Sequence, residues 1–274
     1  MFERVGILGT GLIGGSLGCA LKKFKLARFV VGVSRRPENI RRAKALEAID
    51  SGSTDISVLA DVDLLILATP VETIISQAPA VAALIKPGCI VIDVGSTKEA
   101  VVKKLSRVFK RFVGTHPLAG SEKRGVGFAS AGLFKGAQCV ITPGPASDKR
   151  ALAAVSAMYR AVGARPVMLS SKEHDMVLAL TSHLPHLIAF ALMRTLPKRY
   201  NAFVPASFRD LTRVAASDAG IWDDIFCTNS ANIRAWLGKF VKELAALRRA
   251  LVTNDRKALQ RILKSASQQR NALQ

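Results

Sequence analysis

One of the four histidines in this 274-residue chain, His116, stands in the segment Gly114-Thr115-His116-Pro117-Leu118-Ala119-Gly120-Ser121-Glu122. A polar segment that sets a histidine between glycines makes a poor core and a good active-site loop. Imidazole is the side chain best suited to take a proton near neutral pH, so His116 is a candidate general base. A structural or surface histidine is the plain alternative. His183 and His186 are three residues apart, which puts both on one helix face. No third ligand or carboxylate stands at a matching spacing, so no metal site is expected. Pro185 between them should kink that helix.

A second group of residues suits a phosphate rather than a proton. Gly9-Thr10-Gly11-Leu12-Ile13-Gly14 directly follows a strand-like run and opens a helix. In such a turn the first glycine permits the bend and the second lets backbone approach a pyrophosphate. The third lets helix and strand meet closely. The anion then sits at a helix N-terminus, where free N–H groups and the dipole favour it. Gly9, Gly11, Leu12, Ile13 and Gly14 are therefore read as cofactor-binding residues of a dinucleotide site. About 20 residues further on, an NAD enzyme usually carries Asp or Glu for the ribose 2′-hydroxyl. This chain has Ser34-Arg35-Arg36 there. A hydroxyl and two guanidinium groups suit the 2′-phosphate of NADP, so NADP is the expected cofactor. NAD is the alternative if both arginines are merely solvated.

Two more strand ends point into the same crevice, because ligands of open α/β sheets bind beyond the carboxyl ends of the strands. Thr69 and Pro70 close one apolar run and are read as cofactor-binding; Gly95-Ser96-Thr97 closes another. Ser96 is placed near a nicotinamide, as both a cofactor-binding and a catalytic candidate. Ser96 or Thr97 can also cap the next helix, and the two roles are compatible.

The elements that must position these groups change character along the chain. Arg4–Leu8, Phe29–Val33, Leu64–Ala68, Ile90–Asp93, Phe112–Gly114 and Gln138–Thr142 read as strands. Leu12–Lys23, Pro37–Ala48, Glu72–Leu84, Lys98–Phe109 and Asp148–Val162 read as helices between them. That alternation implies a largely parallel sheet covered on both faces. At Ser170, with Glu173 three residues on, a capping box opens a long helix. The pattern then stays helical, with breaks near Pro197, Pro205 and Thr253–Asp255. The fold class is α/β, an N-terminal Rossmann domain (1–169) followed by an all-helical domain (170–274). Amphipathic stretches such as Ile233–Leu251 and Lys257–Leu263 need a partner surface, which is consistent with dimerisation without requiring it.

Composition narrows the partners. The formal charge is +20, but Lys and Arg are spread along the chain and aromatics are sparse. A nucleic-acid groove normally interleaves basic residues with stacking rings, so nucleic-acid binding is not expected, and the excess of charge has no explanation in the sequence. Cys19, Cys89, Cys139 and Cys227 form no CxxC pair and read as reduced core cysteines. Glu3 and Arg4 lead straight into a strand, with no signal-peptide pattern. The longest apolar run, Leu187–Met193, falls short of the ~20 residues a bilayer demands. A soluble, cytoplasmic protein without a membrane partner is expected.

The motifs in their order resemble the prephenate/arogenate dehydrogenase family, the cyclohexadienyl dehydrogenases of tyrosine synthesis. The residues that carry the likeness are Gly9–Gly14, Asp93-Val94-Gly95-Ser96, Gly114–Glu122, Glu173-His174-Asp175, Ser182-His183-Leu184-Pro185-His186 and Phe208-Arg209-Asp210-Leu211-Thr212-Arg213. They cover nearly the whole chain. The resemblance implies a cyclohexadienol substrate, prephenate or arogenate, that loses hydride and carbon dioxide as its ring becomes aromatic. It implies that His116 draws on the hydroxyl, that Ser96 helps orient it and that Arg213 binds a carboxylate. It further places Ser121, Glu122, His174, His183, His186, Asp210 and Trp222 at the substrate pocket. For His174 and Trp222, helix packing is an equal alternative, and for Arg213 a helix salt bridge with Asp210 is one. The resemblance also implies a homodimer built by the helical half. A β-hydroxyacid dehydrogenase or imine reductase shares the layout, but the former use a lysine on the first helix of the second domain, where this chain has only Lys172 in the first turn. A nucleotide-sensing or nucleic-acid-binding module would leave the His116 segment without purpose.

Overall fold

The computed structural model describes residues 1–120, 125–144 and 147–273. β1 (Phe2–Leu8), α1 (Leu12–Lys23), β2 (Ala27–Val33), α2 (Pro37–Ala45) and the short β3 (Ser51–Ser53) form the first part of the sheet layer. β4 (Leu64–Leu67), α3 (Val71–Leu84), β5 (Ile90–Asp93), α4 (Glu99–Val108) and β6 (Phe112–Pro117) follow, then β7 (Gln138–Thr142), α5 (Lys149–Ala161) and β8 (Arg165–Met168). One sheet runs β3-β2-β1-β4-β5-β6-β7-β8. Its first six positions are parallel, with the strand order reversing between β1 and β4, the crevice where dinucleotides bind. β7 runs antiparallel to β6, and β8 parallel to β7.

Both faces of the sheet are covered, which explains why the central strands are unbroken apolar runs. Leu64, Leu65, Ile66 and Leu67 are all buried, alternating between two core clusters. Cys89 and Cys139 belong to these cores, and burial pushes both thiols up to about 12. The expectation of four core cysteines is corrected by Cys227, which is exposed, and by Cys19, which is only half-buried.

Helices alone follow β8 among the described residues. Ser170 Oγ accepts from the N–H of Glu173 at 3.1 Å and opens α6 (Ser171–Leu178). The helix does not break at Pro185. It passes through a π-helical turn, Ala179–His183, into α7 (Leu184–Thr195). Proline lacks an N–H and its ring crowds the carbonyl four residues back, and one wider turn just ahead of it accommodates both. By length and composition the continuous helix 171–195 meets the requirement for a membrane crossing, although no unbroken apolar run in it does. Its buried polar residues His174, Asp175 and His183 all have hydrogen-bond partners within the protein. α8 (Ala206–Thr212), α9 (Ala219–Thr228), α10 (Ser230–Val252) and α11 (Arg256–Asn271) complete the helical half.

The two halves are fastened at helix N-termini. Neither α3 nor α4 has a side-chain cap of its own, since Pro70 and Lys98 occupy those positions. Asp224 of α9 accepts from the N–H of Glu72 with both oxygens, at 3.2 and 3.3 Å. Asp175 of α6 accepts from the N–H groups of Lys98 and Glu99 at 2.7 and 2.8 Å. A carboxylate satisfies the orphan N–H groups and complements the positive end of the helix dipole. Two acidic residues of the helical half therefore cap two helices of the sheet half.

Candidate active site

A cleft of about 800 Å³ lies along the carboxyl ends of β1, β4, β5 and β6 and is walled on its far side by α7 and α9. Its floor is the glycine turn. Gly9 has φ +106°, and a Cβ there would come within 2.6 Å of the Ala68 carbonyl oxygen. A Cβ on Gly14 would come within 2.2 Å of the Gly9 carbonyl oxygen. These two glycines let the chain turn and the helix approach. Gly11 differs: a Cβ would meet no protein atom within 4 Å, and the residue lines the cleft with Leu12 and Ile13. The open space sits at the uncapped N-terminus of α1, where a diphosphate gains most from free N–H groups. The buried hydroxyls of Thr10 and Thr69 have no partner among the described residues, and Thr69 and Pro70 line the cleft. These residues fit a dinucleotide.

The end of β2 abuts this turn, because the N–H of Gly9 donates to the Val33 carbonyl at 2.9 Å. Ser34 Oγ accepts weakly from the Arg36 N–H at 3.4 Å and from Asn39 Nδ2 at 3.5 Å. Arg35 and Arg36 are exposed, without a charged partner among the described residues.

His116 is held on a strand, which corrects the expectation of a loop. β6 continues to Pro117 because β7 pairs with it, His116 opposite Val140 and Pro117 opposite Cys139. The neighbouring Thr115 is buried and hydrogen-bonded to the Asp93 carbonyl and to Tyr159. The His116 ring lines the cleft beside Gly95 and Ser96. Its Nδ1 lies 2.8 Å from His174 Nε2, and His174 Nδ1 lies 2.7 Å from Asp175 Oδ1. Only Nε2 of His116 is left for the cleft. Burial, and then the neighbouring His174, Lys98 and His183, hold this imidazole well below its ordinary value of 6.5, so it is neutral at physiological pH. Beneath the site lies a buried pair, Lys98 Nζ with Asp93, whose carboxylate also accepts from the Gly95 N–H at 2.8 Å.

The opposite wall is supplied by the helical half. His186 lies flat on Trp222 at 3.6 Å between centroids, with an interplanar angle of 21°. Its Nδ1 donates to the Ser182 carbonyl at 2.8 Å, and burial lowers its pKa. Arg213 lines the same wall with Ser182, Asp218 and Ile221.

Three expected pocket residues do not line the cleft. His174 is fully buried behind His116 and reaches the cleft only through that ring. His183 is buried edge-on against Trp222, 6.0 Å away, with Nδ1 at 3.1 Å from Asn229 Nδ2, and burial lowers its pKa to about 4. Asp210 is exposed on α8. Helical spacing put His183 and His186 on one helix face; both rings meet Trp222, but His183 is buried while His186 lines the cleft. Ser121 and Glu122 lie outside the described residues. Asp224, Lys98 and Asn229 were not singled out from sequence, and Asp175 figured only within the Glu173-His174-Asp175 motif, without a role of its own.

Comparison with known proteins agrees with this geometry. The model of "Prephenate dehydrogenase, nucleotide-binding domain" matches residues 17–168, and that of "Prephenate dehydrogenase, dimerization domain" matches residues 170–265. A cyclohexadienyl dehydrogenase of Zymomonas mobilis is 35% identical, over 100% of this chain and 97% of its own. The crystal structure of a prephenate dehydrogenase from A. aeolicus, in complex with hydroxyphenyl propionate and NAD+, superposes with a TM-score of 0.93 at 33% identity. It covers 100% of this chain and 99% of that one. An arogenate dehydrogenase from Synechocystis superposes with a TM-score of 0.83 at 26% identity, over 98% and 99% of the two chains.

Proposed function

This chain belongs to the prephenate dehydrogenase family of NAD(P)-dependent oxidoreductases, and we propose that it converts prephenate to 4-hydroxyphenylpyruvate and carbon dioxide in tyrosine biosynthesis. The observation that carries this reading is a neutral imidazole, His116, with one ring nitrogen unengaged among the described residues, in the same cleft as the glycine turn and Arg213.

Each residue has a chemical task in that reaction. NADP or NAD, when bound at the glycine turn, supplies the hydride acceptor. His116 Nε2 accepts the proton of the ring hydroxyl as hydride leaves the same carbon. The bond to the ring carboxylate then breaks, and its electron pair flows through the ring to the oxygen. His116 returns its proton there, so the phenol and carbon dioxide form with no net proton released. Ser96, beside His116 at the cleft, orients the hydroxyl. Arg213 grips a substrate carboxylate through its planar guanidinium. The stacked His186–Trp222 pair gives a flat wall against which a six-membered ring can lie. Ser34, Arg35 and Arg36 favour NADP, because no carboxylate at the end of β2 repels a 2′-phosphate.

The chain is a homodimer in this proposal. α10 and α11 expose Val241, Leu244, Leu251, Val252 and Leu263, more apolar surface than a single chain covers. The lysine of a hydroxyacid dehydrogenase has no counterpart, since Lys172 is exposed and away from the cleft.

Initial rates at 340 nm with prephenate and arogenate, each with NAD and NADP, test the proposal. Prephenate with NADP is expected to be fastest. Reduction with arogenate alone would reassign the substrate, and no reduction with any pairing would overturn the activity.

A further inference from the structure

The hydrogen bonds behind His116 form a directed chain. Asp175 Oδ1 accepts from the Lys98 N–H at 2.7 Å and Oδ2 from the Glu99 N–H at 2.8 Å. The carboxylate is thus an acceptor, and His174 Nδ1, 2.7 Å from Oδ1, must carry a proton to bond it. A neutral His174 then presents a bare Nε2 to His116 Nδ1, 2.8 Å away. The proton between the two rings therefore belongs to His116 Nδ1, which leaves Nε2 with its lone pair toward the cleft. A cationic His174 would reverse this, donating to Nδ1 and forcing the His116 proton onto Nε2. The site is built against that state: His174 is fully buried, and so is the ammonium of Lys98 nearby.

We propose that His174 and Asp175 are positioning residues that fix the tautomer of His116, keeping its Nε2 unprotonated and aimed at the cleft. They touch neither substrate nor cofactor in this scheme and act only through the His116 ring. The logic is that of an acid–histidine pair in which an acceptor behind the ring decides which nitrogen is free to react. Asp175 is itself held by the first turn of α4, so the ring inherits its orientation from the contact between the two halves.

The kinetic part of the inference rests on the proposed reaction; the spectroscopic part does not. In the native enzyme without substrate, 15N chemical shifts of the His116 imidazole should show a protonated Nδ1 and an unprotonated Nε2. A protonated Nε2 would overturn the proposal without any variant. His174→Leu removes the acceptor and fills the space; kcat should fall on the order of 100-fold with KM values little changed, and the His116 shifts should move to the Nε2-protonated pattern. His174→Gln keeps a side-chain carbonyl able to accept from Nδ1 and should recover at least about 10-fold of that loss. A Leu variant with native kcat, or with native His116 shifts, would overturn the assignment. Native shifts as expected, in an enzyme that reduces cofactor with neither substrate, would sink the proposed function and leave the tautomer assignment standing.

Discussion

The sheet half of this molecule closes its own core, with Leu64–Leu67 and Ile90–Asp93 buried from end to end. α10, by contrast, buries only Ile233 and Ala250 among its 23 residues, and no residue of the 16-residue α11 is buried. The cleft draws on both halves, but differently. The sheet half brings the glycine turn, Ser96 and His116, whose backbones stand at strand ends, while the His116 ring leans on His174 of the helical half. The helical half brings Arg213, His186 and Trp222, with His186 held by its stack on Trp222 and its hydrogen bond to the Ser182 carbonyl. The contrast teaches a division of labour: the half that closes its own core carries the groups that move hydride and proton, and the more dependent half shapes and anchors the substrate and orients the His116 ring.

That division can be broken kinetically. His116→Asn should lower kcat by roughly 10²- to 10⁴-fold, the usual contribution of a positioned general base, with KM nearly unchanged; steady-state kinetics with prephenate checks this. Arg213→Ala should do the reverse, raising KM about 10- to 100-fold for loss of a charge-assisted bond. A fall in kcat at constant KM would remove Arg213 from the anchoring role. Within the sheet half, replacing Arg35 and Arg36 together by alanine should weaken NADP about 10-fold or more while sparing NAD. Equal losses in titrations with both cofactors would defeat the 2′-phosphate argument. The smallest effect concerns the joint between the halves. Asp224→Ala removes the cap of α3 and should lower stability by about 1 kcal/mol in denaturant unfolding, and no change would mean the contact does not hold the halves together.

The same contrast explains what the sequence discloses. The glycine turn, the apolar strands and the Ser170 cap are local signals, and each stands where its residues indicate. β3 escapes because Ser51-Gly52-Ser53 has no β-forming residue, and β8 because Arg165–Met168 is four residues long and contains Pro166. Both exist because a neighbouring strand offers hydrogen bonds, which is tertiary information. The extension of β6 through His116 has the same origin, since β7 begins 21 residues later. At the site, residue type and setting identify His116 and the resemblance identifies Arg213, yet the histidine behind His116 lies 58 positions away. Helical spacing shows only that His183 and His186 share a face. It does not show that His174 faces another ring and His183 an asparagine. Helix amphipathicity has the same limit in α10 and α11, where it announces a face to be covered but not what covers it.

The central claim is that a neutral imidazole at His116 receives the hydroxyl proton. The pH dependence of kcat in the native enzyme addresses it directly. Burial holds the folded pKa of His116 well below 6.5, and only the unprotonated ring can accept, so activity should persist as pH falls through 6.5 and be lost well beneath it. His116→Asn should lack that acid limb. An acid limb at or above pH 6.5, or the native limb retained in the variant, would contradict the account.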